Sequence, residues 1–222
     1  MRNKVNNTFL FTIFNFTFIA ATQSVLLLLL TAPTYAFVIA AYNQSTEVFG
    51  LPDLAFSRGV LFLIIIEYFA DQQQWNFQSA KHEYQKNARI PERFKDQYTP
   101  EDLERGFVVS GLWSWSRHPN FVAEQAVWLT MYLWAAYRTE TYASWIGLGV
   151  LGYLAVFQGS TRLTESISAE KYPEYSEYQA RVGRFIPRLS VEAKKSKSVI
   201  KKAAAKIEGA KASEEAEVKK SN

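Results

Sequence analysis

The sequence predicts an all-α membrane protein: a bundle of about four transmembrane helices with a polar cytosolic linker and a disordered or helical C-terminal tail. Three observations predict it. The apolar residues are bunched into long runs, although the hydrophobic fraction of 48% and the mean hydropathy of −0.14 are those of an ordinary chain. Lys and Arg collect in the segment 81–117 and in the tail. Many of the six Trp and twelve Tyr stand near the ends of the apolar runs, where amphipathic rings favour the membrane interface.

The first run, residues 9–42, holds no charged residue over 34 positions. A spanning helix needs about 20. Two crossings would leave almost no turn between them, so the run reads as one long, tilted helix kinked near Pro33. It is far longer than the roughly 7–15-residue apolar region of a signal peptide, so cleavage is not expected. A second span covers residues 54–70 around the apolar stretch 59–66, a third residues 121–137 and a fourth residues 142–159. Between spans two and three stand Lys81, Lys86, Arg89, Arg93, Lys95, Arg105 and Arg117, whereas residues 43–53 have no Lys or Arg. Arg138 stands alone between the last two spans. The positive-inside rule therefore places 81–117 and both termini in the cytosol.

Residues 1–190 are expected to form the membrane domain and 191–222 a Lys/Ala/Glu-rich cytosolic tail with little to bury. The tail ends Lys219-Lys220-Ser221-Asn222, which resembles the dilysine signal that retrieves proteins to the endoplasmic reticulum. Asn6 and Asn43 begin formal glycosylation sequons, and only Asn43 falls on the expected lumenal side. The absence of Cys excludes disulfides, thiolate metal sites and a Cys nucleophile, and two His are too few for a His-built metal site. There is no Gly-rich phosphate loop and no nucleophile elbow. The basic tail lacks aromatic interleaving, so no nucleic-acid partner is expected.

Three sets of polar residues interrupt this apolar plan, and such groups at or inside spans usually face a cavity or a partner. Glu67, Asp71, Gln74 and Gln78 share one helical stripe, on which carboxylates and amides could hydrogen-bond an amide ring or ribose hydroxyls. A helix simply turning polar as it leaves the membrane explains the glutamines but not Glu67, a turn further in. The second set is Gly111-Leu-Trp-Ser-Trp-Ser-Arg117-His118-Pro119-Asn120-Phe-Val-Ala-Glu124-Gln125. Pro119 suits a helix's first turn, and the free N–H groups there, with Arg117, suit an anion such as phosphate. An interfacial Trp/Arg belt accounts for Trp113 and Trp115 but not for Glu124. The third set runs from Arg162 and Glu165, one turn apart and able to pair, to Tyr175 and Tyr178. Those tyrosines could cover a bound ring or lie in the headgroup layer.

In order, Glu67-x-x-x-Asp71-Gln, Gly-Leu-Trp-x-x-Ser-Arg-His-Pro-Asn120-x-x-x-Glu124, Arg162-x-x-Glu165 and Tyr175-x-x-Tyr178 before Phe-Ile-Pro187 resemble the steroid 5α-reductase-like membrane proteins, and among them the DUF1295 branch. The resemblance covers residues 15–188. It implies an NADPH-dependent reductase of a carbon–carbon double bond conjugated to a carbonyl in a lipid or sterol-like substrate. Asn120 and Glu124, with His118 in the same motif, would bind near the nicotinamide, and Glu67 and Asp71 would hold amide or ribose groups. Arg162 and Arg117 would meet the phosphates, Glu165 would orient Arg162, and Tyr175 and Tyr178 complete the cofactor set. Ala123 stands where the family usually has Gly, and Phe121 where Tyr is commoner. The family's helices upstream of this region, which hold the acid that polarises the carbonyl in the steroid reductases, have no counterpart here, so no catalytic acid is nominated. Arg-His-Pro also occurs in membrane methyltransferases of related fold, which leaves an S-adenosylmethionine-dependent methyltransferase as an alternative; Gln125, where those enzymes carry a second Glu, weighs against it. A non-catalytic membrane scaffold is the third reading.

Overall fold

The computed structural model describes residues 8–43 and 50–187, and among them there is no β-strand. The fold is all-α. Its elements are α1 (Thr8–Phe14), a π-helical segment (Asn15–Ala21), α2 (Thr22–Leu30), α3 (Ala32–Asn43), α4 (Leu51–Asn87), α5 (Pro100–Arg105), α6 (Pro119–Thr139), α7 (Leu148–Lys171) and α8 (Tyr175–Arg181). The tail 191–222, its dilysine ending, the domain boundary at 190, Asn6 and the residues following Asn43 in its sequon lie outside the described residues.

The first apolar run is not one uniform helix. A π-helical turn precedes α2, and Thr31 interrupts the path between α2 and α3, two residues before Pro33. Pro33 has no N–H to offer the Leu29 carbonyl, so the ladder is broken there. Gly149 of α7 uses the break: a Cβ at Gly149 would lie 2.3 Å from the Leu29 carbonyl. Residues 22–43, with mean hydropathy 2.0, form the one helix among the described residues that is long and apolar enough throughout to cross a membrane. α4, α6 and α7, which hold the other three expected spans, do not meet that measure, so the expected four crossings reduce to one on this criterion.

α4 is continuous for 37 residues, about 55 Å. Asp53 accepts the Gly50 N–H at its start, Pro52 occupies the first turn, and Ala88 closes it in the left-handed conformation with φ 52°. α4 packs along α6, and α3 lies against α6 while α2 lies against α7. At one end Asp53 is buried, accepts from Trp134 Nε1 at 2.7 Å and forms an ion pair with Arg138, whose Nε lies 2.9 Å away. At the other end α4 runs on beyond the bundle and carries a small core of its own, Phe77, Ala80, Phe94, Tyr98, Leu103, Val108 and Trp113. Buried Lys81 ties this end together, donating to the Gly106 carbonyl at 2.9 Å and to the Tyr172 hydroxyl at 3.2 Å.

Candidate functional site

The site is assembled where α6 begins. Pro119 is its first residue, as the motif predicts, with His118 at the N-cap. The approach to it is shaped by Gly111 at φ +62°, where a Cβ would strike the Gln73 amide at 2.6 Å. That amide accepts the Leu112 N–H at 3.0 Å, and Trp113 Nε1 donates to the Ala70 carbonyl at 3.1 Å. The turn leading into the motif is therefore fastened to the middle of α4.

From that point Asn120 and Glu124, one turn apart on α6, meet Asp71 and Glu67, one turn apart on α4. Asn120 Nδ2 donates to Asp71 Oδ1 at 2.9 Å. Glu67 lies beside the Glu124 carboxyl at hydrogen-bonding range, with Asp71 as its other charged neighbour. Glu124 Oε1 also accepts from Trp128 Nε1 at 2.8 Å and from the Tyr153 hydroxyl at 2.7 Å. Two buried acceptors here have no donor: Gln74 Oε1, one turn beyond Asp71, and Asn120 Oδ1. An unsatisfied buried carbonyl costs about 1–3 kcal/mol, so this is a place where a donor-bearing group would bind favourably. Gln78, next on the stripe, is half-buried.

A second, separate cluster centres on Glu165 of α7, which is 2% exposed. Arg117 grips it with both arms of the guanidinium, Nε at 2.7 Å and Nη2 at 3.1 Å. Arg184 reaches the same carboxylate at 3.0 Å and His118 Nε2 lies 3.0 Å from it. The remaining Arg117 nitrogen donates to the Gln179 and Val182 carbonyls, and its backbone N–H to the Gly183 carbonyl. Burial works against the ionised Glu165, but the hydrogen bonds and charge of Arg117, then Arg184 and His118, outweigh it and hold its carboxyl at about 2. Burial pushes the His118 imidazolium down in spite of Glu165, so the ring is neutral near pH 7.

This geometry corrects three expectations. Arg117 is not a free anion-binding group: it is buried, and its donors are consumed by Glu165 and the backbone. Glu165 pairs with Arg117, 48 positions away, and not with Arg162; Arg162 is exposed and has no ion-pair partner among the described residues. Tyr175 and Tyr178 do not line an open site. They are buried against Phe107 and Val182, with the Tyr178 hydroxyl donating to the Trp113 carbonyl at 2.5 Å, and burial raises both phenols, Tyr175 to about 12. Of the residues singled out, Glu67, Asp71, Asn120 and Glu124 come together. Arg117, His118 and Glu165 form the neighbouring ion-pair hub.

Sequence reasoning missed Trp128 and Tyr153. Trp128 stands four residues after Glu124 and was open to an i,i+4 reading; Tyr153, on another helix, offered no local signal. Phe121, where the family usually has Tyr, stacks on His118 with centroids 5.3 Å apart and meets Phe157 edge-on at 4.9 Å. Ala123 is buried.

The family model described as "Protein of unknown function (DUF1295)" matches residues 1–182. The chain belongs to the DUF1295 family. A DUF1295-containing stretch of this chain is 43% identical over 180 residues to a fission yeast protein, "Uncharacterized protein C594.04c" of Schizosaccharomyces pombe, covering 81% of this chain and 51% of that one. The chain thus spans about half the length of the curated relative it matches. No solved structure matches it.

Proposed function

We propose that this DUF1295 protein is an NADPH-dependent reductase of a carbon–carbon double bond conjugated to a carbonyl in a membrane lipid, seated in the endoplasmic reticulum with both termini in the cytosol. The observation that carries the reading is the Glu67–Asp71–Asn120–Glu124 cluster with its two orphaned acceptors.

The membrane setting is supported by dimensions and by surface. α6 has 21 residues and the stretch 22–43 has 22, about 31 and 33 Å, and each matches a hydrocarbon core of about 30 Å. α4 exposes Leu61, Phe62, Ile64, Ile65 and Phe69 in one contiguous patch that water would not tolerate. Trp75 and Trp115, each 70% exposed, mark one end of the bundle. Tyr42, Tyr142 and Trp145, also exposed, mark the other. On this scale Glu67 lies about 12 Å along α4 inside Trp75, beneath the face that carries the 81–117 basic segment. Carboxylates at that depth are costly and mark a ligand path.

The residues fit the nicotinamide and ribose end of the cofactor. Gln74 Oε1 and Asn120 Oδ1 want donors, which a carboxamide or ribose hydroxyl supplies, and the carboxylates of Asp71 and Glu124 accept further bonds. At the phosphate end Arg117 does not fit, being spent on Glu165, and exposed Arg162 takes that role. Bound NADPH supplies a hydride for the β-carbon of the substrate. The chain's own residues bind and orient: the Asp71–Asn120 bond fixes the amide at the start of α6, and Trp128 and Tyr153 hold Glu124 in place. The Glu165 hub anchors the linker from which α6 starts.

The test is NADPH binding to purified protein in detergent, followed by nicotinamide fluorescence, with S-adenosylmethionine as the parallel ligand. Saturable NADPH binding is expected, weakened about tenfold or more by Asn120→Ala, Glu124→Ala or Arg162→Ala. Binding of S-adenosylmethionine instead would favour the methyltransferase alternative, and binding of neither ligand would count against both enzyme readings.

A further inference from the structure

Residues 72–74 of α4 are consecutive glutamines, and their amides meet different fates. Neighbouring side chains on a helix diverge by about 100°, so each amide looks in its own direction. Gln72 Nε2 donates to Asn76 Oδ1 at 2.9 Å, along the same helix. Gln73 Oε1 accepts the Leu112 N–H at 3.0 Å and fastens the linker. Gln74 Oε1 is buried and, among the described residues, has no donor. A helix that merely turns polar on leaving a membrane puts its amides into water. This one holds an acceptor out of it.

Asn120 of α6 carries the other idle oxygen, and its neighbour fixes which atom that is. An ionised carboxylate only accepts, so the Asn120 NH2 faces Asp71 Oδ1, 2.9 Å away, and Asn120 Oδ1 is left over. Gln74 follows Asp71 by one turn, so both idle oxygens belong to residues that adjoin the Asp71–Asn120 bond. The other donors here are spent in the same way: Trp128 Nε1 and the Tyr153 hydroxyl are both given to Glu124. The cluster thus offers acceptors and no spare donor. A hydroxyl brings one hydrogen and lone pairs that need a donor in return, whereas a primary amide nitrogen brings two hydrogens and needs none.

We infer that Gln74 is a specificity residue of the cofactor site: with Asn120 it clamps the carboxamide NH2 of the nicotinamide, one N–H to each oxygen. The inference rests on the reductase reading and deepens it. It commits the two oxygens to the ring's amide and not to ribose, and it makes the site selective for a pyridine that carries an NH2.

The experiment displaces NADPH from the full chain in detergent with NADP+, with its thionicotinamide analogue, which keeps the NH2, and with its 3-acetylpyridine analogue, which puts a methyl in its place. In the wild type NADP+ and the thionicotinamide analogue are expected to bind alike, and the acetylpyridine analogue about tenfold more weakly. Gln74→Met keeps an unbranched chain of similar size and loses the amide. It should weaken NADPH about fivefold or more and shrink the discrimination against acetylpyridine to about threefold, the part that Asn120 alone provides. Gln72→Met, at the amide bonded to Asn76, should change neither. Melting temperatures without cofactor separate reading a ligand from holding the fold. Gln74→Met relieves a buried, unbonded oxygen and should melt no lower than the wild type. Equal binding of the acetylpyridine analogue by the wild type, undiminished discrimination by Gln74→Met, or a lower melting temperature of that variant would each overturn the clamp while NADPH binding itself stands. Absence of NADPH binding would remove the reductase reading and the clamp with it.

Discussion

Glu165 shows how one buried carboxylate can organise three chain segments. Arg117 comes from the linker, Glu165 from α7, and Arg184 from the segment after α8. Removing one partner of such a pair leaves a buried charge and costs about 3–5 kcal/mol. Its pH dependence follows from the direction of the shifts. Glu165 is held at about 2 against an ordinary value near 4.5, so its contribution is complete above about 4.5 and is lost as pH falls towards 2. His118 is lowered from near 6.5, so the unfolded chain takes up that proton first and stability also falls below about 6.5. Thermal unfolding in detergent should show both losses in the wild type. Glu165→Gln should lower the melting temperature at pH 7 and reduce the loss between about 4.5 and 2, leaving the part that Asp53 and Asp102 contribute. At this scale the sequence was half legible. Asn120 with Glu124, and Glu67 with Asp71, declared themselves as one-turn pairs in apolar surroundings. The Arg117–Glu165 pair could not, because its partners meet only through tertiary folding, and the nearer Arg162 offered a false local match.

Among the elements, the α2–α3 break and α7 depend on each other. Pro33 withholds a hydrogen bond from the Leu29 carbonyl, and Gly149 lets α7 come against that stretch of backbone. A methyl group at Gly149 would collide with main chain, which cannot rotate away, so Gly149→Ala should destabilise by about 1–3 kcal/mol or more. Gly159, also in α7, has nothing within 4 Å of its Cβ position. Gly159→Ala should be neutral or stabilise by up to about 1 kcal/mol through helix propensity. Paired melting temperatures in one detergent check both. The start of α6 was readable because Pro119 fits only a first turn. The extension of α4 to Asn87 was less so, because residues 77–87 are mostly polar and the few apolar ones, Phe77, Ala80 and Tyr84, find their partners, Phe94, Tyr98 and Leu103, in the following linker.

For the whole molecule, the Cys-free sequence makes topology directly measurable. In microsomes, a single cysteine at Gln97, in the basic linker, should react with an impermeant maleimide without permeabilisation. One at Ser144, in the α6–α7 connection, should react only after it. Reaction of both cysteines on the same side would overturn the arrangement of spans. The α4–α6 pair carries a further consequence. Asp53 holds Trp134 and Arg138 at one end, and Asp71 holds Asn120 at the other. The two ties on α4 are 18 residues apart, about 27 Å. A slide of one helix past the other by a single turn would sever both at once. α4 and α6 are therefore locked in register at both ends, whereas α7 meets the Glu124 carboxylate through the Tyr153 hydroxyl.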